Sequence, residues 1–254
     1  MSGQIAYSED QFSVFDGKGN PATIEQIIRA IGENEAVFLG EQHDDAVAHA
    51  IQFEIFKRVV AEYGTKRRVG LTLEMFESDV QTVLDEYLAG QISEAHFMLS
   101  SRPWGNYKTD YRPLVDLAKE KNLAVIAANA PRRYVNMVSR GGRGTLNGLS
   151  KTAREWLPPL PFADPSAAYS AKFKALMGPS AEAQMGIENI LMSQSLWDAS
   201  MAYRVAEFLK EKKGLARRSP QWSISHRKPT WNCRASIQIP TEDKGFGCHD
   251  TVRD

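Results

Sequence analysis

The sequence predicts an α/β fold: a parallel sheet with crossover helices, plus a helical layer that lids the carboxyl end of the strands. Three observations carry this. Short apolar runs at residues 36–40, 69–75 and 123–128 each lead into polar or charged groups. Segments with apolar residues at helical spacing separate these runs. A parallel partner is reached only through a crossover, so strands alternating with helices imply a parallel sheet. The helical patterns at 79–99 and 181–213 exceed what a minimal doubly wound fold uses, and they supply the lid.

Along the chain, Asp16-Gly-Lys-Gly-Asn-Pro21 is a turn cluster. Thr23 stands as N-cap before Ile24, Ile27, Ile28 and Ile31, one apolar face of a helix. Residues 36–40 form the first strand, and 46–63 a helix through Val47, Ala50, Ile51, Ile55, Val59 and Val60. The second strand, 69–75, carries Glu74 at its exit. Val80, Val83, Leu84 and Tyr87 make one face of a helix over 79–88, and Ser93 caps another. Residues 110–121 are helical with Leu114 and Leu117 inward. The third strand, 123–128, is broken by Asn129 and Pro131. Residues 141–148 are a glycine-rich loop without the Lys-Ser/Thr of a phosphate loop, and 158–165 are a proline-rich connector. From 181 to 213 runs one long helix or two consecutive ones.

Composition narrows the function. The 254 residues hold 31 Lys+Arg and 31 Asp+Glu, a formal charge of zero, which argues against the basic footprint of a nucleic-acid binder. No run approaches the ~18 apolar residues of a membrane helix. Met-Ser-Gly-Gln-Ile-Ala-Tyr has neither a basic n-region nor an apolar h-region, so no secretory signal is expected in this stretch; a cleaved signal would leave the same picture.

The chemistry concentrates after the first strand. Gly40 stops the apolar run, and Glu41, His43, Asp44 and Asp45 follow at once. In α/β proteins ligands sit at the carboxyl ends of strands. An imidazole beside carboxylates there can hold a metal, move a proton or face a cofactor. Glu74 ends a second strand, and neighbouring strands are expected to bring Glu41, His43 and Glu74 to one rim, where they would bind a cation or work as an acid/base set. His49 and His96 lie on helices and read as ordinary amphipathic-helix residues.

From about residue 215 periodicity vanishes, so a domain over 14–213 and an irregular tail over 214–254 are expected. Cys233, Cys248, His226 and His249 match no standard zinc spacing. Back-translated and read one base later, the codons of Trp222 and Trp231 force glycine, and those between permit Gly-x-Phe-His, a loop and a helix flanked by apolar strands. A change of reading frame near residues 210–217 accounts for the tail.

Six motifs stand in order: Gly40-Glu-Gln-His43; Leu73-Glu-Met-Phe76; Gln81 with Leu84-Asp-Glu-Tyr-Leu88; Trp104-Gly-Asn-Tyr107 with Asp110-Tyr-Arg-Pro113; Ala127-Ala-Asn-Ala-Pro-Arg-Arg133; and Gln194-x-x-Trp-Asp-x-x-Met-Ala202. Over residues 14–213 the chain resembles the ChaN-like haem-binding uptake proteins, relatives of the Tiki-type proteases and erythromycin esterase-like hydrolases. The resemblance implies an α/β core with a helical lid, haem or iron binding, homodimers with a tyrosine iron ligand, and a periplasmic or membrane-anchored setting. Membrane association would come only through a signal or lipid anchor this chain does not show. The wider superfamily carries a second Gly-x-x-His near the C-terminus, which this chain lacks as translated.

On that reading the cofactor is haem, with a divalent metal ion as the alternative. Trp104, Tyr107 and Tyr111 supply an aromatic wall or a phenolate for ferric iron. Asn129, Arg132 and Arg133 follow the third strand, and a guanidinium fork matches a propionate or a substrate acid. Gln194, Trp197, Asp198 and Met201 form an inward helical stripe that brings polar contacts toward the site. The rival is a metal-dependent hydrolase in which His43, Glu41 and Glu74 are catalytic.

Overall fold

The structure is a computed structural model that describes residues 11–177, 181–210 and 222–227. Thr23 opens α1 (Ile24–Gly32) with a reciprocal box: its hydroxyl accepts from the Gln26 amide, and the Gln26 side chain accepts from the Thr23 amide. β1 (Ala36–Gly40) follows, then α2 (Ala46–Tyr63), whose first two free amides are taken by the Asp45 carboxylate. β2 (Val69–Glu77) leads through a short 3-10 turn to the lid helices α3 (Gln81–Leu88) and α4 (Glu94–Ser101). A single turn of π-helix, Tyr107–Tyr111, opens α5 (Arg112–Glu120). β3 (Ala124–Asn129) precedes α6 (Arg132–Gly141), α7 (Lys151–Arg154), α8 (Ala167–Met177) and α9 (Ala181–Lys210). The last described element is β4 (Trp222–Arg227).

The four strands are all parallel, in the order β1-β4-β2-β3. Right-handed crossovers explain the layers. The chain moves one way across the sheet from β1 to β2 to β3, so the intervening helices share a face: α2 packs on α1 and on α5. It returns from β3 to β4, which places α9 on the opposite face against β3, β4 and α6. β2 lies inside this sandwich, and its first eight residues are all buried. Among the described residues β1 is an edge, with Leu39 buried and Phe38 52% exposed.

β1 and β2 are therefore not the neighbours the sequence reading took them to be. β4 lies between them and pairs Leu39 with His226 and Leu71 with Ile224. Two strand spacings, about 10 Å, separate β1 from β2. The tail was expected to be irregular from about 215, yet six of its residues form this inner strand. Ladders offered from both sides satisfy the backbone whatever the local periodicity. The proposed change of frame and the cysteines Cys233 and Cys248 lie outside the described residues.

Three apolar clusters result among the described residues, the smallest joining α8 to α9 through Phe173, Ile187 and Leu191. One joins α1, α2, the sheet and the lid through Ile27, Ile55, Phe56, Leu73, Phe76 and Leu114. Another joins α6 to α9 through Tyr134, Val138, Phe162 and Leu196. Gly70 is required for the seat of α9, because a methyl group there would run into the Phe208 ring. β3 is the other edge, and Gln81 closes it: its side-chain amide donates to the Val125 carbonyl (2.9 Å) and accepts from the Ala127 amide (2.7 Å), as a strand would.

The lid is fastened by aromatic rings. Phe97 is fully buried, stacks on Tyr87 (centroids 4.3 Å) and meets Phe76 and Tyr107 at 5.7 and 5.8 Å. Burial, with the Asp116 carboxylate beside it, pushes the Tyr87 hydroxyl up to about 12. Burial raises Tyr107 as well. A phenol with a raised folded-state pKa contributes stability that is complete below the unfolded value of about 10 and is lost as pH climbs through the folded one. The urea midpoint should hold up to pH ~9 and fall between about 10 and 12. Phenolate absorbance should appear together with the loss of helical circular dichroism; free titration of every tyrosine near 10 in a folded chain would refute this.

Candidate functional site

Beyond Gly40 the chain reaches the carboxyl rim, and the side chains there form a closed set of contacts. Glu41 is buried. Its Oε1 accepts from the Tyr111 hydroxyl and lies 2.9 Å from His43 Nδ1. Its Oε2 lies 3.5 Å from His49 Nδ1. A carboxylate only accepts, so His43 carries its proton on Nδ1. The other ring nitrogen, Nε2, is solvent-accessible and has no partner among the described residues.

The His43 backbone carbonyl is held from two sides. His49 Nε2 donates to it at 3.1 Å, and Asn106 Nδ2 at 2.9 Å. Asn106 also donates to Asp110 Oδ2 at 2.7 Å, an oxygen that lies 3.8 Å from His49 Nε2. Trp104 stands edge-on to the His43 ring (4.5 Å) and to Tyr111 (5.9 Å), and His49 edge-on to Tyr111 (4.8 Å).

Local sequence explains these positions. Of the four ionisable residues after Gly40, Glu41 turns inward, Asp44 stays exposed and Asp45 caps α2. The cap fixes the first turn of α2, and His49, whose amide bonds the Asp45 carbonyl, is buried one turn later. The π turn sends Tyr107 toward Phe76 and Phe97, and Asp110 and Tyr111 toward the rim. Such turns recur at functional sites.

Burial raises the Tyr111 hydroxyl far above the ordinary tyrosine range, and the charges of Glu41, Glu74 and Asp110 add to it. Glu74, buried on β2, thus acts on the cluster through its field. Tyr111 and Tyr107 were expected as iron ligands or pocket walls, and the structure places them otherwise. Tyr111 is buried with its hydroxyl committed to Glu41, and Tyr107 is buried within the lid with its hydroxyl unpartnered among the described residues. Trp104, half-buried, is the aromatic group left at the surface.

Among the described residues, no three His, Cys, Asp or Glu side chains are arranged to hold a metal ion. Glu41, His43 and Glu74 are not gathered as such a group, because β4 separates the strands that carry them. Asn129 is buried and accepts from the Ala130 amide, a turn-forming contact. Arg132 and Arg133 open α6 at the exit of β3, both exposed. Arg133 pairs with Asp79 and lies over the Tyr134 ring (4.4 Å); Arg132 has no ion pair among the described residues. Asp79 also takes Arg102 at 2.7 Å, two residues before Trp104, and so ties the start of α6 to the end of α4.

Four residues went unassigned in the sequence: His49, Asn106, Asp110 and Arg102. Asn106 and Asp110 sit within the Trp104–Pro113 motif, so position in a motif was the available signal. His96 stays on the lid surface, bonded to the Ser93 cap. On α9 the buried positions include Ile187, Leu191, Leu196, Ser200, Met201, Val205 and Phe208, and Ser200 donates to the Ala128 carbonyl (2.9 Å); of the stripe expected from the sequence, Met201 is buried and Gln194, Trp197 and Asp198 are half-buried.

The fold matches a solved structure described as cofacial haem binding to ChaN of Campylobacter jejuni, with a TM-score of 0.64, 16% identity, and coverage of 85% of this chain and 79% of that one. At that identity the likeness is one of fold. No curated protein matches. A family model described as haem-binding uptake, Tiki superfamily, ChaN matches residues 27–217. This span takes in the rim cluster, the lid and the arginines that open α6, and the chain belongs to the ChaN family of haem-binding uptake proteins within the Tiki superfamily.

Proposed function

We propose that the chain binds haem for iron uptake at the carboxyl rim of the sheet, with the porphyrin laid against Trp104 and beside His43. The observation that carries this is the accessible Nε2 of His43, without a partner among the described residues, standing next to the half-buried Trp104 ring. The donor set suits the group: an imidazole for iron, an indole for the flat apolar ring, and guanidinium groups at Arg132 and Arg133 for propionates. Bound haem would supply an iron centre that takes a protein ligand. Cofacial binding in the Campylobacter protein supports paired haems, and so a homodimer, here. No helix among the described residues is long and apolar enough to cross a membrane.

Hemin titration followed by the Soret band tests the reading. The wild-type chain should shift the band at micromolar hemin. Trp104→Ala should weaken binding about tenfold, the loss of roughly 1.4 kcal/mol of aromatic contact. Arg132→Ala should weaken hemin but spare its dimethyl ester, which has no carboxylate to pair. The absence of any Soret shift, or a Trp104→Ala titration that overlays wild type, would overturn the assignment.

A further inference from the structure

We propose that Arg102 and Arg133, set side by side by Asp79, form one carboxylate-reading site, through which the protein selects a porphyrin with free propionates over an esterified one. This rests on the haem reading above and adds Arg102 to it as a specificity-determining residue. Asp79 follows β2, and its side chain is only 11% exposed. Its two oxygens serve different partners: Oδ1 accepts from Arg102 Nη2 at 2.7 Å, and Oδ2 accepts from Arg133 Nη1. One carboxylate thus brings together a guanidinium from the end of α4 and another from the start of α6.

Neither guanidinium is used up by this bridge. The group carries five N–H donors in a planar fork. Arg102 spends only Nη2, on Asp79 and on Glu77 Oε2 at 3.1 Å; its Nε and Nη1 have no hydrogen bond among the described residues. Arg133 gives Nη1 to Asp79 and Nη2 to the Tyr134 hydroxyl at 3.3 Å, which leaves Nε. Both side chains are half exposed. An exposed fork with donors to spare can take a carboxylate through two parallel bonds. Arg132 stands beside Arg133 with no ion pair among the described residues, so three guanidinium groups face the two carboxylates of Glu77 and Asp79.

The backbone of Arg102 points the same way. Its φ of 52° and ψ of 46° put it in the left-handed region, which at a helix end is ordinarily left to glycine. An arginine pays a backbone cost there, and the side chain is what the position keeps. Trp104 lies two residues on, its Cα within ~7 Å of that of Arg102. A flat ring laid on Trp104 therefore has the Arg102 fork within reach of its propionate arms.

The test titrates the full chain with hemin and with hemin dimethyl ester in one detergent buffer, read by the Soret band. The wild-type chain should prefer hemin by about tenfold. Arg102→Gln should weaken hemin about three- to tenfold and leave the ester within about twofold, which removes most of the preference. Arg102→Lys keeps the charge without the fork and should recover part of the loss. Arg133→Gln should act like Arg102→Gln from a separate helix, and it carries the test if circular dichroism shows Arg102→Gln unfolded. A loss shared equally by hemin and the ester would mark Arg102 as a tie between α4 and α6 and overturn the proposal, as would an Arg102→Gln chain that matches wild type with both. A wild-type chain that binds the two porphyrins equally overturns the carboxylate site and leaves haem binding standing; no Soret shift with either removes the haem reading itself.

Discussion

Glu41→Leu should cost about 2–5 kcal/mol of stability, because two hydrogen-bond donors lose their acceptor. The side chain is buried and accepts from two groups, the Tyr111 hydroxyl and His43 Nδ1, while its other oxygen lies 3.5 Å from His49 Nδ1. Leucine fills the volume but accepts nothing. The buried Tyr111 phenol and the partly exposed His43 imidazole would each lose an acceptor, at roughly 1–3 kcal/mol apiece, with the lower end for His43. Against a total margin of about 5–15 kcal/mol, that loss is a large fraction. Glu41→Gln separates charge from shape: it keeps one accepting oxygen for Tyr111 and turns its amide toward one of the imidazoles, so its cost should be about half as large. Urea unfolding of the two variants beside wild type decides it. A Glu41→Leu midpoint equal to wild type would mean that the cluster contributes nothing to the fold.

The second large effect is expected at Phe97. The ring is fully buried and meets Tyr87, Phe76 and Tyr107, two of them from the lid and one from β2. Truncation to alanine should cost about 3–5 kcal/mol through lost transfer energy and the cavity left behind. Phe97→Leu should cost under about 2 kcal/mol, since most of the volume remains. The effect should reach the rim. α4 ends two residues before Pro103 and three before Trp104, and Arg102 at its C-cap holds a left-handed conformation (φ 52°). Loosening α4 frees that connection, so Phe97→Ala should also raise amide exchange across 94–111 and weaken hemin. Unchanged exchange in that stretch would show that the lid is held elsewhere.

Much of the fold was legible because its signals are local. The Thr23–Gln26 box, the isoleucine face of α1 and the apolar runs of β1, β2 and β3 all depend on residues a few positions apart. Strand order was not legible. It depends on which crossover returns across the sheet, and nothing within Val37–Gly40 or Val69–Met75 records that a later segment will lie between them. α8 escaped notice because its apolar residues, chiefly Tyr169 and Phe173, sit among alanine, serine and lysine. At the site, Glu41 and His43 stood out because a glycine isolates them from an apolar run. Asn106 did not, because its partner His43 lies 63 residues away. The tyrosines were read by chemistry alone, since only packing shows that Tyr107 turns into the lid and Tyr111 onto Glu41.

The place of Trp222–Arg227 between β1 and β2 also governs how the protein is made. On the ribosome, everything through α9 is synthesised while that slot is still open. The nascent chain must carry two unpaired strand edges, each a template for wrong pairing, until the segment after residue 221 has cleared the exit tunnel. The two halves of the rim, one on each side of the slot, therefore come into register only once that segment has emerged, and messages cut short ahead of it should yield aggregates rather than a weakened binder.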